Sequence, residues 1–218
     1  MIWALERATG SAATFHSRPL PEPSARAVWA FTVDRPAIVL GSTQPATTID
    51  AAAAAARGID VVRRHSGGGA VLLVPGESLW VDVIVPAGDP VWDDDVGRAA
   101  WWVGDAWASA LTAAGLPGAT VHRGPLVRSP WSATVCFAGL GPGEVTAGGR
   151  KVVGISQRRT RAGARFQCSV HHRWDPATLI ALLAPPRPSL AELDEMVAEV
   201  AAADDILLAA FLAALPAG

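Results

Sequence analysis

Three consecutive glycines, Gly67 to Gly69, interrupt the most strand-like region of the chain, Ile59 to Val85, and constrain its fold more than any other feature. Glycine held in regular structure costs about 0.5–1 kcal/mol relative to alanine, so a run of three needs a compensating reason. Two reasons fit: a hairpin turn, or the close approach of a ligand to backbone that carries no Cβ. Arg63 and Arg64 lead into the run through His65 and Ser66, and bare N–H groups beside two guanidinium groups favour an anion such as phosphate. The segment is neither a Walker loop nor a dinucleotide fingerprint, because no Gly-Lys-Ser/Thr follows and no GxGxxG is present.

A second constraint lies in GGRKVVGISQRR, Gly148 to Arg159. All but one of the 18 lysine and arginine residues are arginines, and the exception is Lys151. An ammonium is a compact point charge with three rotatable donors, whereas guanidinium is a planar fork. A crowded pocket that must hold a carboxylate would select lysine at this position; arginine-rich composition leaving one lysine by chance is the plainer alternative.

The chain has 218 residues, half of them apolar, which suits one domain covering 1–218 with a helical C-terminal segment at 176–218. A net charge of −2 argues against a dedicated nucleic-acid or membrane-surface protein, so any anion site is local. The N-terminal segment lacks signal-peptide features and no apolar run is long enough to span a bilayer, so a cytoplasmic protein without a membrane segment is expected. Cys136 and Cys168 form no disulfide framework and show no metal-ligand spacing; each is a core residue or a nucleophile.

Strands are expected at Ala27–Val33 and Ala37–Gly41, with a polar loop at Ser42, Thr43 and Gln44. Thr47 or Thr48 is expected to cap a short alanine helix, with Asp50 in its first turn. Ser78–Val85 alternates like a half-buried strand, placing Asp82 toward solvent. Spacings of three and four predict a helix over Val96–Ala114, with Asp93 to Asp95 as its acidic first turn and Trp101 and Trp102 as packing residues. A short strand is expected at Val121–Arg123, another at Thr134–Ala138 containing Cys136, and an antiparallel pair at Lys151–Gln157 and Phe166–Val170. The arginines from Arg158 to Arg165 would form a solvated tip or a docking patch for an acidic protein. Helical structure follows Pro176, with a capping box at Ser189 to Glu192 and a last helix opened by Asp204 or Asp205.

RRHSGGGAV (Arg63 to Val71) and GGRKVVGISQRR, about 80 positions apart and preceded by AIVLGSTQ (Ala37 to Gln44), resemble the signature segments of the lipoate-protein ligase A family. The resemblance covers Ala27 to Asp175. It implies the α+β fold shared with biotin-protein ligases: a mixed, largely antiparallel sheet flanked by helices, with the acyl group in a tunnel and its activated carboxyl beside the lysine. Carried over to matching positions, it implies that Lys151 binds the acyl carbonyl or phosphate oxygens. Gly67, Gly68 and Gly69 would line the acyl chain and adenylate, bordered by Arg63, Arg64 and Ser66, with Ala70 and Gly154 in the same two segments. The chain departs from the family in having LLVPGESLW after SGGGAV, and Gln167-Cys168 where many members have His-Gly. Cys136-Phe137 resembles the segment that carries the nucleophile in cysteine-dependent octanoyltransferases of the same superfamily.

Three functions follow as expectations. The first is a ligase that uses ATP and Mg2+ to activate lipoate or octanoate as an acyl-adenylate for attack by a lysine of a lipoyl-domain protein. The second is a transferase in which Cys136 takes octanoate from octanoyl acyl carrier protein as a thioester and passes it on without ATP or another cofactor. The third is a non-catalytic acyl or lipoyl-domain binding module, against which the retained lysine argues.

Overall fold

The apolar strand that the sequence places at Ser78–Val85 lies inside the molecule's main sheet. The computed structural model describes residues 3–22 and 24–217. In it β6 (Ser78–Pro86) is buried over all of its interior positions. Seven strands form this sheet in the order β1-β2-β6-β10-β9-β8-β7, with β1 Ala4–Gly10, β2 Ala27–Val33, β7 Thr120–Val121, β8 Val145–Ala147, β9 Arg150–Arg159 and β10 Gly163–His171. Only the β1–β2 pair is parallel in it. A second, three-stranded sheet has β3 (Ala37–Leu40) between β4 (Asp60–Arg63) and β5 (Val71–Leu73).

Both faces of the large sheet are covered, which is why β6 is apolar at successive positions rather than at alternate ones. On one face Val28, Val81, Val83, Phe166 and Cys168 pack on α3 (Trp101–Ala113) and α6 (Asp204–Ala214), where Trp107 stacks on Phe211 with ring centroids 4.2 Å apart. On the other, Trp29, Phe31, Trp80 and Ile84 meet Phe15 of α1 (Ala12–Ser17) and the small sheet's Val39 and Leu73. Three further helices lie beyond these: α2 Ala51–Ala56, α4 Pro176–Leu182 and α5 Leu190–Leu193, the last with the expected capping box. The mixed, largely antiparallel sheet flanked by helices is the fold the resemblance implied.

Covering the second face corrects the reading of Asp82. It is fully buried, accepts a hydrogen bond from Trp80 Nε1 at 2.8 Å and forms an ion pair with buried Arg165, whose Nε donates to its carboxylate at 2.6 Å. Arg165 also donates to the carbonyls of Phe15 and Arg18, so it ties α1 to the sheet and does not belong to a solvated tip. Removing either partner of a buried pair leaves an uncompensated charge and costs about 3–5 kcal/mol.

Local capping differs from expectation for identifiable reasons. Asp50 itself caps α2, accepting from Ala53 N at 2.9 Å, while Thr47 and Thr48 lie in the preceding 3-10 turn. The long helix begins only at Trp101, because Asp93 holds Arg98 and Asp95 accepts from Gly97 N and Arg98 N, which spends those carboxylates on a turn before the helix. Trp102 packs edge-on against Phe166, as packing residues should. Thr134–Ala138 is not a strand: Val135 makes one bridge to Ala70, and Cys136–Ala138 turn into a 3-10 helix. The expected strand near Val121 is reduced to two residues, and the two elements ahead of Ala27, β1 and α1, had no sequence-based expectation.

Candidate active site

The β9–β10 hairpin sets Lys151 at one end of the sheet and the arginine-rich turn at the other. Lys151 points inward and is 4% exposed, and its Nζ donates to Glu144 Oε2 at 2.8 Å and to the carbonyl of Cys136 at 3.0 Å. It also lies 4.9 Å above the centre of the Phe137 ring. Glu144, itself buried, accepts in addition from the backbone N–H of Gly141 at 2.6 Å and of Ile155 at 3.1 Å. Two of the three ammonium protons are thus committed inside the protein, and one remains for a ligand. The lysine's own backbone pairs with the C-terminal segment: Lys151 N donates to Met196 O and Ala198 N to Lys151 O, both at 2.9 Å.

Each glycine of the run has a different reason to be glycine. Gly67 has open space where a Cβ would lie. Gly68 has φ +101°, a conformation that favours glycine, and its carbonyl lies against Gly41, whose Cβ would sit 2.0 Å away from it. Gly69 packs on Val135 and Cys136, where a Cβ would come within 2.5 Å of backbone. Two of the three therefore serve loop packing, and Gly67 is the one that leaves room for something else.

Arg63 and Arg64 hold this loop. Arg63 Nη1 donates to the carbonyls of Gly41 and Gln44 at 2.8 and 2.6 Å, and Arg64 Nη2 to those of Gly67 and Gly69 at 2.8 and 2.9 Å. Gln44, buried, accepts from Gly41 N and donates to the carbonyls of Ala133 and Thr134, which fastens β3 to the turn bearing Cys136. Arg64 Nη2 is also 3.8 Å from the Cys136 thiol sulfur.

Two cavities meet at Cys136, Ile155 and Ser156, which line both. One is a narrow slot of about 50 Å³ running between Val39, Val71 and Trp80 on one side and Phe137 and Gly154 on the other. A Cβ on Gly154 would lie 3.0 Å from the Phe137 ring, so that glycine keeps the slot's wall in place. A polar chain edges the slot: Ser156 to Ser66 at 3.0 Å, Ser66 Oγ donating to Gln167 Oε1 at 3.2 Å, and Gln167 Nε2 to His16 Nδ1 at 3.2 Å. Burial, with Arg64 and Arg165 nearby, lowers the His16 imidazole to about 3, so it is neutral there. His171, edge-on to Phe137, is lowered to about 4 chiefly by burial, with His172 and Lys151 adding to the effect.

The other cavity is an open cleft of about 740 Å³ bounded by Gly67 to Gly69, Arg128, Glu144 and Lys151. The amides of the three glycines make no hydrogen bond among the described residues, and Arg128 is exposed and in no ion pair among them. These donors fit an anionic phosphate group. Among the described residues no three histidine, cysteine or carboxylate side chains are grouped so that they could hold a metal ion.

Lys151, Cys136, Ser66, Gly67 to Gly69 and Gly154 thus gather around one junction, with Ala70 directly behind it through its bridge to Val135. Sequence reasoning missed Glu144 and Arg128, and took Gln44 as part of a polar loop without its contacts to Gly41, Ala133 and Thr134. Glu144 left a signal, as the only acidic residue between Cys136 and Lys151. Cys168 also lines the slot; it is buried, and burial pushes its thiol well above the usual range.

The fold that carries these cavities is shared by solved proteins of low sequence identity. A bipartite lipoate protein ligase from Thermoplasma acidophilum, studied with its E2 lipoyl domain, superposes with a TM-score of 0.73 at 17% identity, over 98% of this chain and 82% of that one. A lipoate-protein ligase A bound with ATP gives 0.73 at 18% identity, over 98% and 84% of the two chains. LipL1 of P. falciparum in complex with lipoate gives 0.66 at 10%, over 98% and 60%. At these identities the likeness is one of fold. No curated protein matches the sequence. Among the described residues no helix is long and apolar enough to cross a membrane. Residues 11–203 match the lipoyl protein ligase A/B catalytic domain, which takes in both glycine-bearing segments and the tail that pairs with Lys151; the chain belongs to that family and is an enzyme of its ligase-or-transferase class.

Proposed function

We propose that this enzyme joins an octanoyl or lipoyl group to a lysine of a lipoyl-domain protein in the cytoplasm. The observation that carries the reading is the junction itself, where an apolar slot opens into a donor-lined cleft beside Lys151. An acyl tail would lie in the slot with its carboxyl end at Cys136, Ile155 and Ser156. At about 50 Å³ the slot is narrower than an eight-carbon chain, so the lining side chains move apart as it fills.

In the first mechanistic reading a carboxylate oxygen would attack the α-phosphorus of ATP and pyrophosphate would leave, giving an acyl-adenylate. The glycine amides and Arg128 would hold its phosphate oxygens. The remaining proton of Lys151 would donate to the acyl oxygen as negative charge develops there, while Glu144 keeps the ammonium from turning away. The acceptor lysine's amine then adds to the activated carbonyl, AMP leaves and the amine loses a proton.

A second reading rests on the placement of Cys136, whose thiol is on the wall common to slot and cleft and 3.8 Å from the Arg64 guanidinium. The Cys136 sulfur would attack an acyl thioester, its proton passing to the carrier's departing thiol, and hold the acyl group until the acceptor amine displaces it.

Incubation with a lipoyl domain and octanoate, with and without ATP, and separately with octanoyl acyl carrier protein, followed by intact mass, tests both. An octanoyl gain that requires ATP and survives Cys136→Ser establishes the first reading. A gain only from the carrier thioester, lost in Cys136→Ser and accompanied by a hydroxylamine-labile adduct on Cys136, establishes the second. No gain under any condition refutes the function.

A further inference from the structure

The turn between β9 and β10 belongs to neither cavity described above. From Arg158 to Arg165 the chain carries four arginines and no acidic residue, in a protein whose net charge is −2. Arg158, Arg161, Arg165 and Arg18 line a separate groove of about 450 Å³, with Glu22 the one acidic side chain in it. Arg165 is compensated by Asp82 and Arg18 by Glu6. Arg158 and Arg161 have no ion-pair partner among the described residues, and Arg161 and Thr160 at the tip are exposed.

The groove is attached to the active site by the strand itself. Ser156 and Gln157 line the cleft, and Arg158 follows directly, about 7 Å beyond Ser156 at roughly 3.3 Å per residue. The Ser66–Ser156 hydrogen bond fixes the glycine loop to the same strand, so cleft mouth and groove keep a constant spacing. Arg158 faces the same side of β9 as Ser156, with Arg165 and Gln167 as their partners on β10. A protein resting on the tip could therefore reach the cleft with a protruding side chain.

We infer that the β9–β10 tip and its groove are the docking surface for the acceptor protein, and that the acceptor presents an acidic face to Arg158 and Arg161. The inference rests on the proposed acyl transfer for the identity of the partner, while the surface rests on charge complementarity. Unpaired guanidinium groups at a rim steer an acidic partner and set its register more than they add affinity. They leave the chemistry at Lys151 untouched.

The test is Arg158→Glu/Arg161→Glu in the full chain, with an acidic lipoyl domain as probe. Direct titration uses a domain whose acceptor lysine is replaced by arginine, so it needs no turnover. Binding should weaken at least about tenfold at low salt, and the difference should shrink as added salt shortens the Debye length toward about 8 Å. In turnover assays KM for the domain should rise by a similar factor while kcat, and acyl transfer to hydroxylamine as a small acceptor, stay within about twofold of wild type. Unchanged binding of the domain overturns the docking surface, as does arginine-dependent binding of DNA or anionic vesicles with none of the domain. A wild-type enzyme that binds the domain through these arginines but never acylates it leaves the surface standing and defeats the proposed function instead.

Discussion

Replacing Lys151 by methionine removes the ammonium while keeping an unbranched side chain of similar reach. Glu144 would keep the N–H groups of Gly141 and Ile155 but lose its only charged partner, at a position 4% exposed. Breaking a buried ion pair from one side costs about 3–5 kcal/mol, and the two surviving donors put this case at the lower end, about 3 kcal/mol. That is a large share of the 5–15 kcal/mol typical of a folded protein, and it would appear as an earlier midpoint in urea unfolding. A cycle with Glu144→Gln should yield a coupling on the order of 1–3 kcal/mol, because the two groups touch. Acyl transfer should fall by about 10² to 10³ in Lys151→Met, as for loss of one preorganised donor, and should not return in the double variant. Lys151→Arg should also be nearly inactive, since a planar fork does not fit between Glu144, the Cys136 carbonyl and the Phe137 ring. Unfolding of Lys151→Met at the wild-type urea concentration would refute the buried pair, and wild-type turnover by Lys151→Arg would refute the requirement for an ammonium.

Gly67→Ala should leave the melting temperature unchanged, because nothing lies within 4 Å of the added Cβ, yet weaken ATP binding in the cleft measured by titration; Gly69→Ala should instead lose about 1–3 kcal/mol of stability through its clash with the Val135–Cys136 backbone. Acidification should destabilise the fold through His16 and His171, whose folded values lie near 3 and 4 against an ordinary 6.5. The unfolded chain takes up protons that the folded one refuses, so stability is complete above about 6.5 and falls as pH drops toward 4. Urea midpoints from pH 7 to pH 4 should show a shallower decline in His171→Phe; an identical slope would count against a neutral buried imidazole.

The hairpin of β9 and β10 was legible because two apolar strand-like runs flank a basic turn, although the strands run on to Arg159 and from Gly163, and Lys151 because composition isolated it. Asp82 was misplaced since alternation normally marks a half-buried strand, and only the small sheet and α1, distant in sequence, cover its second face. Thr134 to Ala138 has β-branched and aromatic residues suited to a strand, but after a single bridge to Ala70 it has no further backbone to pair with. Gly67 to Gly69 left turn and cradle undecided, and the structure divides the run between the two. The partnership of Lys151 on β9 with Glu144, just ahead of β8, lies beside a bulged register, which no local pattern encodes.

The pairing of Lys151 with Met196 and Ala198 has a consequence for how the protein is made. On the ribosome the hairpin can form once residue 171 has emerged, yet the strand edge carrying the lysine stays open until residue 198 is clear of the exit tunnel. Arg26 and Trp3 likewise wait for the carbonyl of Pro216. Contacts so distant in sequence form late and slowly. A nascent chain therefore carries every residue of the slot and cleft before the backbone of its lysine has all of its partners.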